Sequence, residues 1–287
     1  MKFLISLNFK TGFRTAPIAE SDSTDEVISS DTLHGAMVYW AYRLFPEKAK
    51  DFALNLKVSN MFFKQDNEYL IPKPYIIDTM DFDNPKPIKK SKYVKLSFLK
   101  EIIKKGKVEN SDVVGFVKSE SILTKQLVTR NALDRITNSS LMYSMEVVRI
   151  NSNYTPVILV DLTKEFETEL VTILKVLGDS GIGADNTYGF GIFIPEFQKV
   201  PPEFENETGN YYITLGYYVP NEDEYGKLNE GFYKLKRKAG VKKDKMVRKY
   251  EINFVDAGSV FTFKPQGRGV IEGSDFFIQT TPICLVL

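Results

Sequence analysis

Residues 178–191 read Gly-Asp-Ser-Gly-Ile-Gly-Ala-Asp-Asn-Thr-Tyr-Gly-Phe-Gly, five glycines in fourteen positions. Glycine adopts positive φ freely and lets a backbone come very close to another chain. The stretch follows an apolar-periodic helix predicted over residues 165–177 and precedes a strand predicted over 190–194. A dinucleotide-binding fingerprint has the reverse order, strand then glycines then helix, and its third glycine is Asn186 here. A phosphate-binding P-loop would end in Gly-Lys-Ser/Thr, and the stretch has no lysine. The expectation is a backbone-approach site outside the nucleotide-cofactor classes; the other reading is a glycine-rich turn without a ligand.

Outward from this loop, periodicity supplies a plan. Phe3, Ile5, Leu7 and Phe9 alternate with Lys2, Leu4, Ser6 and Asn8, as in a half-buried strand. Residues 11–30 read as a polar loop. Ser30 or Asp31 can then cap a helix whose one face carries Leu33, Ala36, Met37, Trp40, Ala41, Leu44 and Phe45, and Pro46 stops it. Residues 56–63 read as a second strand. A long irregular excursion follows over about 64–140, broken by Pro72, Pro74, Pro85 and Pro87 and holding one short basic helix near 95–105. Strands over 141–150 and 157–160 precede the helix marked by Phe166, Leu170, Ile173, Leu174 and Leu177, then the glycine loop and the last strand. The sum is an α+β chain, β-α-β-insertion-β-α-β, a ferredoxin-like plan. The proline-rich, acidic stretch 195–209 is the best boundary, giving domains 1–197 and 198–287. The second part is strand-rich (211–219, 250–254, 260–263, 276–279, 283–287), with a poor helix signal between 222 and 238, and is expected to be a degraded second ferredoxin-like half.

Three segments together carry a resemblance. Ser30-Asp31-Thr32-Leu33-His34-Gly35-Ala36, Arg130-Asn131-Ala132-Leu133-Asp134-Arg135-Ile136-Thr137-Asn138-Ser139-Ser140 and the glycine loop occur in this order over residues 30–191. They resemble the RAMP superfamily of CRISPR RNA-binding proteins and, within it, the subunit-four family of the type III-A Csm complex. The last hundred residues resemble it only weakly. The resemblance implies two ferredoxin-like (RRM-like) halves, the first with a thumb-like β-hairpin insertion that kinks a guide RNA. It implies a non-catalytic subunit gripping the 5′ repeat-derived handle of the crRNA, capping the filament of backbone RAMP subunits and touching the large polymerase-like subunit.

Composition sets bounds. The 287 residues are 43% hydrophobic and 26% charged, with a net charge of +1, which argues weakly against a general nucleic-acid binder. Charge is segregated: residues 234–249 carry nine Lys or Arg, and lysines cluster at 86–95 and 100–107, whereas acids gather at 20–26, 203–207 and 222–230. For any one such run, a solvated face is the simpler reading. One histidine and one cysteine exclude an internal disulfide, a His-containing metal cluster and a cysteine-based zinc site, so no metal or cofactor is expected. No apolar run of membrane-spanning length occurs, and a reducing cytoplasm is the expected location.

Binding a single strand of RNA needs cations for phosphate, small residues for close approach and planar groups for stacking. Ser180, Gly181, Ile182, Gly183 and Ala184 supply main-chain NH groups. Tyr188 is a stacking platform or, equally, a core-facing aromatic. Ser30, Thr32 and His34 lie at the first helix's N-terminus, where free NH groups attract a phosphate, although Ser30 and Thr32 would also serve as caps. Arg14 precedes that helix and could reach the same groove. The resemblance assigns Lys125, Arg130 and Arg135 to backbone or base contacts of the thumb; ion pairing with acids such as Asp134 is the alternative for the cations. Leu133, flanked by Arg130 and Arg135, could wedge a base out of its stack while the cations hold the backbone. Arg268, between Gly267 and Gly269, is a second backbone-approach signal or an ordinary turn. The enzymatic alternative is a metal-independent repeat-processing ribonuclease with His34 as general base. A helix-end histidine bonded to a neighbour is the simpler reading. A general RNA-recognition module would need an aromatic strand motif, to which residues 188–193 bear only a superficial likeness.

Overall fold

The computed structural model describes residues 1–15, 24–239, 241–242, 247–248, 251–273 and 276–287. Strand β1 (Lys2–Phe9) leads to helix α1 (Ser30–Leu44), strand β2 (Phe62–Gln65), strand β3 (Thr155–Asp161), helix α2 (Glu167–Ser180) and strand β4 (Phe193–Gln198). The sheet runs β4-β1-β3-β2, with β1 antiparallel to both neighbours: Leu4 pairs with Leu159 and with Gln198. This is the ferredoxin-like strand order, and periodicity anticipated its elements to within a few residues.

Three boundaries differ. The second strand is split, Lys57–Val58 and Phe62–Gln65, because Ser59 and Asn60 turn aside to bond Leu159 and Leu215. The last strand starts at Phe193, three residues later than expected, since Gly191 (φ +74°) still belongs to the loop. Residues 140–150 are not a ferredoxin strand. They form one arm of a hairpin, Leu123–Leu133 with Ser140–Ile150, paired along eleven residues. Alternation of period two identifies a strand but not its partner, so the insertion runs to residue 150. Its first part, residues 68–122, extends the sheet edge by strands Glu68–Pro72, Tyr93–Lys95 and Phe116–Val117 and contains the expected basic helix, Leu96–Lys105.

The core has two layers. Phe3, Ile5 and Leu7 face Leu33, Met37, Leu170, Ile173 and Leu177 of the two helices. Leu4, Val157, Leu159 and Phe62 face the other way, onto Ile213, Leu215, Val260 and Leu285. β1 is thus buried on both faces rather than half-buried, because the C-terminal half covers the face that a lone ferredoxin-like unit leaves to water. Phe204, at the expected boundary, is buried with its ring 5.7 Å from Phe62 and 5.2 Å from Tyr69. The C-terminal half is strand-rich, as expected: Tyr212–Thr214 lies between Val260–Phe261 and Cys284–Val286, flanked by two-stranded ribbons. The two helices of a ferredoxin-like unit do not recur among its described residues, where Glu222–Glu230 is a 3-10 segment. Residues 20–23 of the acidic run and 240, 243–246 and 249 of the basic run lie outside the described residues.

Candidate nucleic-acid interface

The glycine loop is folded back on the chain that follows β1. Gly183 bridges Arg14, Ala184 N donates to Arg14 O (2.8 Å), and Gly191 N donates to Gly12 O (2.8 Å). Ile182 N donates to Gly191 O (3.0 Å), closing the loop on itself, and the Ile182 side chain is buried. These contacts explain the glycines. A Cβ on Gly183 would stand 2.2 Å from Arg14 O, and one on Gly181 2.4 Å from Phe190 O, with both residues at positive φ. The close approach predicted from the glycines therefore exists, but its partner is the protein's own backbone. Of the expected NH donors, those of Ile182 and Ala184 are used inside the fold.

On its other side, the 12–15 segment meets the hairpin base. Phe13 exchanges two backbone hydrogen bonds with Val148, and Gly12 lies against Val147. Phe190 of the loop packs with Met145, Val147 and Val128 of the hairpin. Arg130 completes the seam, its guanidinium 5.8 Å from the Tyr188 ring and 5.5 Å from the Phe190 ring. Lys125 reaches Glu146 at 3.4 Å, and Glu146 accepts a bond from Thr24 N. Arg14, Lys125, Arg130, Gly183 and Tyr188, predicted from separate stretches, are thus brought to one place.

Arg14 lies under this seam, only 6% exposed. One terminal nitrogen pairs with Asp185 of the loop, while Nε and Nη2 have no hydrogen-bond partner among the described residues. Buried polar groups are nearly always paired. Arg130 Nε is likewise buried without a partner. Asp134, the acid expected as an alternative partner for the arginines, is taken instead by Ile136 N, whose bond holds its carboxyl below the usual range, and by Thr137. Tyr188 is 56% exposed, so it is not the core-facing aromatic of the alternative reading.

Other sequence-predicted residues stand elsewhere. Leu133 and Arg135 are at the exposed hairpin tip, and Arg135 makes no ion pair with a described residue. The α1 N-terminus is not open to a phosphate. Ser30 is buried, its NH donates to Asn60 Oδ1 (2.7 Å), and its hydroxyl accepts from Tyr217 N (2.9 Å). Position gives the cap to Ser29, whose hydroxyl lies 3.2 Å from that of Thr32. Lys238 covers this end, donating to Ser29 Oγ (2.9 Å) and Asp25 (3.2 Å). His34 has no exposed surface, and its Nε2 lies 3.1 Å from Ala53 O, so it cannot reach a ribose hydroxyl. Arg268 follows the ordinary-turn reading: Nε donates to Pro220 O (3.0 Å) and a terminal nitrogen to Tyr225 OH. The described basic run is mostly neutralised, with Lys236 and Lys238 on Asp25, Arg237 on Glu251 and Lys234 on Asp78. Sequence reasoning missed Asp185, Phe190 and the Met145–Val147 base; Gly12, two residues before Arg14, was the available signal.

The profile of the RAMP superfamily matches residues 10–194. The chain belongs to that superfamily. Residues 207–275 match the CRISPR Csm4 C-terminal domain, so the resemblance to the subunit-four family extends into the half where motifs were weakest. The CRISPR system Cms protein Csm4 of Methanocaldococcus jannaschii is 25% identical over 274 residues, covering 75% of this chain and 72% of that protein. The Thermococcus onnurineus Csm4 is 23% identical and covers 86% of both chains. Among solved structures, a Csm3-Csm4 subcomplex of the type III-A CRISPR-Cas interference complex superposes with TM-score 0.70 at 21% identity, covering 99% of both chains. A Csm1-Csm4 cassette with pppApA superposes with TM-score 0.63 at 18% identity, covering 100% of this chain and 98% of the other. Among the described residues, no helix is long and apolar enough to cross a membrane.

Proposed function

We propose that this RAMP protein is the non-catalytic Csm4-type subunit of a type III-A CRISPR interference complex, gripping the 5′ handle of the crRNA in the cytoplasm. It would cap the filament of Csm3-type backbone subunits next to the Csm1-type polymerase-like subunit, the partners named with its structural relatives. In this reading residues 1–197 are the RNA-gripping domain, and 198–287 are the counterpart of a second ferredoxin-like half whose helices have been lost. The carrying observation is Arg14, nine-tenths buried beneath the glycine loop with two nitrogens that have no partner among the described residues. A phosphate oxygen arriving at the seam would satisfy them with charge-assisted bonds. Arg135 and Leu133 at the hairpin tip would hold and wedge the same strand farther out.

Co-purification of the assembled complex followed by 5′-end sequencing tests this reading. A common short handle is expected, and random cellular RNA would overturn it. Arg14→Ala should reduce retained crRNA at least tenfold, the loss expected when a charge-assisted bond worth about 1.5–3 kcal/mol disappears. Unchanged retention would remove the seam from the RNA path.

His34→Ala separates this reading from a ribonuclease. The substitution empties a fully buried site and should lower the unfolding free energy by about 2 kcal/mol. Incubated with an unprocessed repeat transcript, wild-type and variant protein should give the same 5′ ends. Single-site cleavage by the wild type that vanishes in a folded His34→Ala protein would establish the nuclease.

A further inference from the structure

Three consecutive residues ahead of α1 hold three different parts of the molecule. Thr24 N donates to Glu146 Oε2 (3.3 Å) on the second arm of the hairpin. The Asp25 carboxylate accepts from Lys238 Nζ (3.2 Å) and lies 3.6 Å from Lys236 Nζ. Both lysines belong to the ribbon that pairs Leu235–Lys238 with Ile252–Val255 in the C-terminal half. The Glu26 carboxylate accepts from Lys92 Nζ (2.8 Å), beside the extended sheet edge, and from the Ser119 hydroxyl. Ser119 opens the short helix that leads into the hairpin's first arm at Leu123. Thr24 and Glu26 therefore hold the two roots of the hairpin, and Asp25 between them holds the ribbon.

This strap is itself fastened. Thr15 N donates to Thr24 Oγ1 (3.0 Å) and Asp25 N to Thr15 O (3.1 Å), with both threonines buried, and Met61 N donates to Ile28 O (2.9 Å). The Asp25 and Glu26 side chains are 21% and 29% exposed, so their ion pairs are less screened than surface pairs. Above the Phe13–Val148 bonds, the hairpin's apolar support is one small cluster, Val128, Met145 and Val147 against Phe190, apart from both core layers. Leverage does the rest. At about 3.3 Å per residue an eleven-residue arm is about 35 Å long, so a tilt of about 10° at its root moves the tip by about 6 Å.

We propose that Thr24-Asp25-Glu26 form a coupling strap, through which the position of the C-terminal ribbon sets the tilt of the hairpin. A protein partner that displaces the ribbon pulls on Asp25, and the adjoining Thr24 and Glu26 pass the movement to the two hairpin roots. Coupling of this kind travels through a contiguous chain of bonds, here Lys238 to Asp25 to Thr24 to Glu146. The strap goes beyond the RNA-binding reading and does not depend on it.

The test follows the hairpin directly, without RNA. In the full-length chain carrying Cys284→Ser, spin labels at Ile136→Cys on the exposed hairpin tip and Lys175→Cys on α2 report the tip-to-body distance by pulsed electron paramagnetic resonance. The strap-intact protein should give one narrow distribution. Asp25→Asn and Lys238→Met should each widen it about twofold, and the two together no more than either alone, because they break the same chain of bonds. Lys236→Met, at a half-exposed side chain whose loss the fold tolerates, should widen it to a lesser degree. Tyr75→Phe removes a different bond to the C-terminal half, 3.0 Å to Asp256, and should leave the distribution unchanged. A distribution indifferent to Asp25→Asn and to both lysine variants would overturn the strap and leave the hairpin held by Phe13 and Phe190. Equal widening in Tyr75→Phe would mean general loosening, and a broad distribution with the strap intact would mean that no tilt is set; either overturns it. None of these outcomes touches the Arg14 seam, whose own test is retention of crRNA.

Discussion

Replacing Gly191 with alanine should lower the unfolding free energy by about 3 kcal/mol, while Gly189→Ala should cost about 1 kcal/mol. Both glycines sit at positive φ, +74° and +87°, so both substitutions meet the same left-handed backbone penalty. They differ in surroundings. A Cβ on Gly191 would lie 2.0 Å from Ile182 O and 2.8 Å from Ile182 N, both backbone atoms that cannot swing aside, whereas one on Gly189 meets nothing within 4 Å. Urea unfolding of the two variants measures the difference, which isolates the close approach from the dihedral. Equal losses would mean that the loop is held by its dihedrals and not by its folding against itself. The same geometry bears on Gly183, where a carboxylate side chain would collide with Arg14 O. A Gly183→Asp protein would lose RNA through a damaged fold, so Arg14→Ala is the cleaner probe of the seam.

Lys238→Met should cost about 2 kcal/mol of stability. Lys238 is 8% exposed and donates to Ser29 and Asp25, with Asp31 at 4.0 Å and the Tyr217 ring beneath it at 5.5 Å. Removing the cation leaves two aspartates crowded at the α1 N-terminus. Truncating one side of a buried pair typically costs about 3–5 kcal/mol, and the partial water access of Asp25 and Asp31 reduces it here. Lys236, 3.6 Å from Asp25, offsets a little more. The loss should fall by half or more in Lys238→Met combined with Asp25→Asn, because the double variant removes both charges. Additive losses would show that Lys238 contributes by packing on Tyr217 alone.

Much of this architecture was legible in the residues. The apolar stripe Leu33–Met37–Ala41 and the helix ending in the glycine loop have the 3.6-residue period of one-sided burial, and both helices do bury one face. The glycines reported a close approach, and one is there. What they could not report is the partner, because a missing Cβ clears space equally for a phosphate or for Arg14 O. Likewise Met145, Val147 and the residues around them alternate as a central sheet strand would, yet their ladder is with residues 123–133. The Ser-Asp-Thr of residues 30–32 has the chemistry of an anion site, and it is closed by Asn60, Tyr217 and Lys238, which lie far away in sequence. His34 takes the simpler of its two readings, a buried histidine against Ala53 O, and the reactive alternative stayed open in sequence because that burial depends on Ala53 and the packing around α1.

The position of β1 carries a cost in time. It precedes every one of its partners in the chain: its ladders are with residues near 160 and near 198, and Leu4 waits for Ile213 and Leu285 to cover it. At roughly 5–20 residues per second, an apolar strand would leave the ribosome some tens of seconds before its last neighbour exists. Pairings this distant in sequence also close slowly once the chain is complete. The two-sided burial that gives the finished sheet its solidity thus makes the newborn chain dependent on whatever shields Phe3–Leu7 during synthesis, and it makes the C-terminal half a requirement for folding as much as a part of the folded protein.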